Sequence, residues 1–91
     1  VGLIGTWNYP VFLTAVPVLH AVVAGNGVLW KPSEHGRRSA EVLHDLFTTA
    51  GVPSDLLVRL PADRDVGPQL AEADVDLIHF TGSDGVGRRL A

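Results

Sequence analysis

Four short apolar runs, each followed by a segment of helical character, constrain this chain more than any other feature. The runs are "VGLIGTW" (1–7), "GVLWKPS" (27–33), "DLLVRLPA" (55–62) and "VDLIHFTG" (75–82). They are short, bounded by Gly and Pro, and carry no alternating wet face, which is the pattern of strands covered on both sides. A β-α-β-α-β-α-β-α order with such strands predicts an α/β fold, a parallel sheet with helices on both faces.

The intervening segments differ in kind. "PVFLTAVPVLHAVVAGN" (10–26) is apolar on every side, as expected of a helix sandwiched between layers. Pro10 suits its first turn, Pro17 would kink or restart it, and Gly25 suits its stop. "RRSAEVLHDLFTTAG" (37–51) places Ala40, Leu43, Leu46, Phe47 and Ala50 on one helical face, with Glu41, His44 and Asp45 opposite. Gly51 and Pro53 end it. "DVGPQLAEA" (65–73) reads as a short helix, and the last residues, through Arg88 and Arg89, as another.

Composition narrows the function classes. A net charge of −3 and a pI near 5.7 leave no basic footprint for nucleic acid. Cysteine is absent, so disulfides, thiolate metal sites and a thiol nucleophile are excluded within these 91 residues. The longest apolar run is broken by Thr14, Pro17 and His20, too short for a bilayer span. No signal-like leader precedes it, and the expected compartment is the cytoplasm. There is no methionine, and the chain reads as an excerpt of a longer protein.

Ligands of open parallel sheets bind beyond the carboxyl ends of the strands. Three of the four strand tips are more polar than packing requires. Thr81-Gly82-Ser83, leading into a helix, leaves backbone N–H groups unpaired and favours a phosphate, although a plain Ser83 N-cap explains it too. The glycines Gly82, Gly85 and Gly87 reverse the usual dinucleotide fingerprint. Lys31 and Glu34 flank Pro32 and are either a surface ion pair or a ribose clamp. A carboxylate there would repel a 2′-phosphate and favour NAD over NADP. Asn8, between Trp7 and Tyr9-Pro10, is either an N-cap or an amide donor for a developing oxyanion. The third tip, Pro61-Ala62-Asp63, is uninformative. His20 and His79 read as partly buried packing residues, His35 and His44 as exposed, and Trp30 as sheet packing.

Together "GTWNYP", "AVVAGNGVLWKPSE" and "VDLIHFTGSDGVG" resemble the Rossmann-like cofactor domain of the NAD(P)-dependent aldehyde dehydrogenase superfamily, over essentially the whole chain. The resembled patterns are P-W-N-[FY]-P, A-L-A-A-G-N-x-V-[VL]-K-P-[SA]-E and F-T-G-S-x-x-V-G. This resemblance implies that Asn8 stabilises the oxyanion when a downstream cysteine attacks an aldehyde, and that the thioester formed after hydride transfer is then released. It implies that Ile4, Gly5, Thr6 and Trp7 line the nicotinamide side, and that Lys31 and Glu34, with Ser33 beside them, hold the adenosine ribose. Phe80, Thr81, Gly82, Ser83 and Gly87 form the glycine-rich turn, with Ser83 on the pyrophosphate, Val86 against adenine and Gly67 nearby. The whole chain would be part of one NAD-binding domain, truncated at both ends and inactive alone. The full-length enzyme would be a homo-oligomer acting on a small aldehyde.

Departures from those patterns matter. Thr6 replaces the usual proline before Trp7, His35-Gly36 replaces a common Thr-Pro helix start, and "LPADRD" lacks a usual glycine. The catalytic cysteine and glutamate of the family would lie beyond Ala91. An acyl-phosphate reductase on the same scaffold, or a catalytically degenerate member, therefore stays in competition at this point.

Overall fold

In the computed structural model, which describes residues 1–91, each apolar run contributes one strand and each intervening segment one helix. The order is β1 (Gly2–Ile4), α1 (Phe12–Val23), β2 (Val28–Lys31), α2 (Arg37–Thr49), β3 (Leu57–Arg59), α3 (Val66–Glu72), β4 (Ile78–Phe80) and α4 (Asp84–Leu90). All pairings are parallel and the sheet order is β3-β2-β1-β4.

Register assigns the faces. Leu3 pairs with Trp30 and His79, and Val28 with Leu57, so these residues share one face. On that face Leu3, Val28, Trp30 and Leu57 pack with Val18 of α1 and Ala40, Leu43 and Phe47 of α2 into the main core. Gly2, Ile4, Ile78 and Phe80 point the other way, and α3 packs there on β1 and β2. A Cβ on Gly2 would lie 2.7 Å from Ile78 Cδ1 and 3.3 Å from Leu70 Cδ1, so the missing side chain is what lets α3 approach. The result is three layers, with α1 and α2 on one face and α3 on the other. Right-handed crossovers require this split, because the chain steps from β1 to β3 in one direction and then returns across the sheet to β4. The direction changes between β1 and β4, and that is where a crevice opens.

Helices α1 and α2 stop where a glycine follows. Gly25 and Gly51 have φ of +91° and +98°, which costs glycine nothing. Behind them the Asn26 N–H donates to the Ala21 carbonyl and the Val52 N–H to that of Phe47. Pro17 does not end α1, which runs unbroken past it. Arg37 opens α2 after Gly36, which offers no side-chain cap, as the His35-Gly36 departure implies.

Several expectations are corrected. The chain does not sandwich α1 between layers: Thr14 and Val18 are buried, but Phe12, Val16, Leu19 and Val23 form an open apolar stripe on the opposite side. No element of these 91 residues packs on it. Leu46 is 59% exposed and Ala50 is exposed, because Ala40, Leu43 and Phe47 alone complete the contact face of α2. His20 on α1 and His79 on the edge strand β4 are exposed, whereas His44 is partly buried. Trp30 is 1% exposed in the core, as expected, with its indole N–H unpaired. No helix is long and apolar enough to cross a membrane.

Candidate functional site

A cleft of about 1200 Å³ opens at the carboxyl ends of the strands. From the β1 tip come Ile4, Gly5, Thr6, Trp7 and Asn8; from the β2 tip Lys31, Ser33 and Glu34. The β4 tip adds Phe80, Thr81, Gly82 and Ser83, followed by Val86 from α4, while Gly67 reaches it from α3. Of the glycines singled out at the β4 tip, Gly85 and Gly87 are not in the lining; Gly87 packs under the Phe80 ring, which also covers Gly82.

At the β1 tip the backbone turns sharply. Tyr9 has φ of +49°, left-handed and uncommon for an aromatic residue, and Pro10 follows. Helix α1 is capped by Val11 without a side-chain hydrogen bond, so Asn8 is not its N-cap. The Asn8 side chain is exposed to the cleft, and its one hydrogen bond within the chain is accepted from the Thr6 hydroxyl, at 2.6 Å. Its NH2 group is free to donate.

At the β2 tip Lys31 is 5% exposed, and its Nζ stands 3.6 Å from Glu34 Oε2. Burial of the lysine rules out an ordinary surface pair. Glu34 also meets Arg64, 3.4 Å from its Nε, and His35, 3.7 Å from its Nε2. The Glu34 carboxyl is held below its usual range, first by a backbone hydrogen bond. Lys31, Arg64 and His35 add to this, against the opposing effect of burial. Ser33 Oγ accepts from the His35 N–H at 3.2 Å and steadies the turn. At the β4 tip Ser83 Oγ accepts weakly from the Val86 N–H, 3.4 Å, so Ser83 caps α4 while also facing the cleft.

Arg64, His35, Glu72 and Arg89 line the cleft but were not among the residues that sequence reasoning placed there. Arg64 lies 30 positions from Glu34, just after the strand tip that looked uninformative, and no local spacing could reveal their meeting. With three cationic and two anionic side chains, the cleft carries a formal charge of +1 when His35 is neutral, in a chain of net charge −3.

An extended, anionic ligand such as a dinucleotide fits these walls. The volume is generous beside the roughly 300–1,000 Å³ of small-molecule sites. A side chain at Gly67 would meet no protein atom within 4 Å, so this buried glycine keeps open space. The buried Lys31 presents donors to the same space.

A parallel sheet of order β3-β2-β1-β4 with a polar crevice beyond its strand tips defines a Rossmann-like α/β unit. The chain matches the model of the aldehyde dehydrogenase family over residues 1–91, and it belongs to that family. It is 42% identical to a 4,4'-diapolycopene-4,4'-dial dehydrogenase of Cytobacillus firmus over 89 residues, 98% of this chain and 19% of that protein. Against a betaine aldehyde dehydrogenase of Vibrio vulnificus (strain CMCP6) identity is 40%, covering 96% of this chain and 18% of the relative. A benzaldehyde dehydrogenase [NAD(+)] of Pseudomonas putida is 38% identical, covering 97% and 18%. The chain thus spans about a fifth of the length of these relatives.

Proposed function

We propose that this chain is the cofactor-binding segment of an enzyme that oxidises an aldehyde to a carboxylic acid with NAD. The supporting observation is the convergence of Asn8, the Lys31–Glu34 pair and Ser83 on one cleft from three different strand tips. In this reading Lys31 donates to one ribose hydroxyl while the Glu34 carboxylate accepts from both. Ser83 and the turn before α4 face the pyrophosphate, with Val86 and Gly67 at the adenine. Ile4, Gly5, Thr6 and Trp7 border the nicotinamide. When bound, the cofactor supplies a hydride acceptor. Asn8 does the electrophilic work of this segment, donating its amide to the carbonyl oxygen as negative charge builds there. Nucleophile and general base come from outside these 91 residues, which hold no cysteine.

The substrate is an aldehyde by membership of the family. The relatives named above act on quite different aldehydes, so the choice among them belongs to other parts of the protein. Asn8→Ala in the full-length enzyme should lower turnover about 10²–10³-fold with NAD affinity nearly unchanged. Steady-state kinetics beside equilibrium NAD binding checks this, and wild-type turnover in the variant would remove Asn8 from the mechanism.

A further inference from the structure

We propose that Thr6 is a positioning residue for Asn8, its hydroxyl holding the carboxamide by the oxygen so that both amide N–H donors are left for the substrate oxygen. The inference rests on the oxyanion role of Asn8 given above.

The contact between Thr6 Oγ1 and Asn8 Oδ1 is 2.6 Å, at the short end for an O–H···O bond. Two oxygens share it and one proton must lie between them. An amide oxygen carries none, so the hydroxyl donates. Thr6 is 7% exposed and its hydroxyl makes no other hydrogen bond.

That single bond selects an orientation. The terminal torsion of asparagine is broad and roughly two-fold, so an unrestrained carboxamide presents either end to the cleft. Turned over, Asn8 would face the Thr6 hydroxyl with its NH2. The hydroxyl could accept, but its own proton would then be buried without an acceptor. The same turn would aim carbonyl lone pairs at the developing oxyanion. A hydrogen bond on the amide oxygen also polarises the opposite N–H groups, strengthening them as donors.

The backbone leaves this arrangement undisturbed. An N-capping asparagine would spend its oxygen on a backbone N–H. Here the left-handed Tyr9 and Pro10 turn the chain before α1 begins, and the capping position falls to Val11. The oxygen of Asn8 is therefore available to Thr6. In the resembled P-W-N-[FY]-P pattern a proline stands at this position and brings no hydroxyl, so the contact is a property of this chain's own "GTWNYP".

The test is a double-mutant cycle in the full-length enzyme. Turnover is followed by NAD reduction with the fastest aldehyde from a panel of benzaldehyde, betaine aldehyde and straight-chain aldehydes. NAD binding is followed separately by tryptophan fluorescence. Thr6→Val should lower kcat about tenfold, leaving the aldehyde KM and the NAD Kd within about twofold. Thr6→Ser should return kcat to within about twofold of the starting enzyme. Adding Thr6→Val to Asn8→Ala should cost nothing more. Should Thr6→Val fold poorly, Thr6→Ala removes the same hydroxyl with less bulk and should show the same kcat loss.

Losses that multiply in the double variant would overturn the proposal. So would a serine variant as slow as valine, or NAD binding that falls in step with kcat. Slow Asn8→Ala with Thr6→Val at full rate overturns the positioning role alone. Asn8→Ala at full rate overturns the oxyanion reading and the positioning role with it.

Discussion

Glu34 shows how much one side chain's neighbours decide. Alone beside a ribose, its charge would exclude a 2′-phosphate; here Lys31, Arg64 and His35 stand within 3.4–3.7 Å of it. Lys31 and Arg64 weaken the exclusion without abolishing it, because Arg64 is 88% exposed and its pairing is screened by water. Glu34→Gln should therefore shift the NAD/NADP ratio of kcat/KM toward NADP by about five- to tenfold, the scale of one like-charge contact in high dielectric. An unchanged ratio would count against the ribose assignment. The depressed carboxyl also makes a statement about pH. Because folding lowers this pKa, the group's stabilising contribution is complete above the ordinary glutamate value of about 4.3 and fades only as pH falls through the lower folded value. NAD binding measured by fluorescence should hold level from neutral pH through the ordinary glutamate range and decline only below it, because the folded carboxyl stays ionised there. Loss of binding between about pH 6 and 5 would mean that another group controls it.

At the scale of elements, α3 is the weakest-founded part of the cleft wall. It has seven residues, no side-chain N-cap, and Leu70 as its one large buried anchor, 3% exposed against Gly2 and Ile78. A helix this short owes its existence to packing rather than to propensity. Leu70→Ala should cost about 2–5 kcal/mol, the range for a buried leucine whose cavity relaxes only in part. Urea denaturation of the full-length protein checks the stability. NAD affinity should fall as well, since Gly67 sits one turn earlier on the same helix. Sequence periodicity located α2, yet it put Leu46 in the core of α2, where three other residues already fill the contact. Period tells which residues share a face; the width of the face that is covered depends on the partner.

For the whole molecule, the outer stripe of α1 is an open apolar surface. Phe12 is 67% exposed, Leu19 49% and Val23 86%. Apolar patches of this kind on a polypeptide standing alone promote association. Residues 1–91 expressed as an isolated polypeptide should bind the dye ANS and self-associate in analytical ultracentrifugation. Leu19→Glu with Val23→Glu should reduce both effects. A monomer that leaves the dye dark would show that the stripe is covered in some other way.

The order of strands and helices, the glycine stops at Gly25 and Gly51, and the motif positions at three strand tips were all determined by sequence. Each rests on interactions between residues near in the chain: hydrophobic period, φ preference, turn chemistry. Only the tertiary structure decided that Arg64 meets Glu34, that Lys31 is buried, and that His20 and His79 are exposed. Those outcomes follow from which strands lie side by side and which edges stay open. That is settled by contacts between distant parts of the chain, to which local pattern is blind.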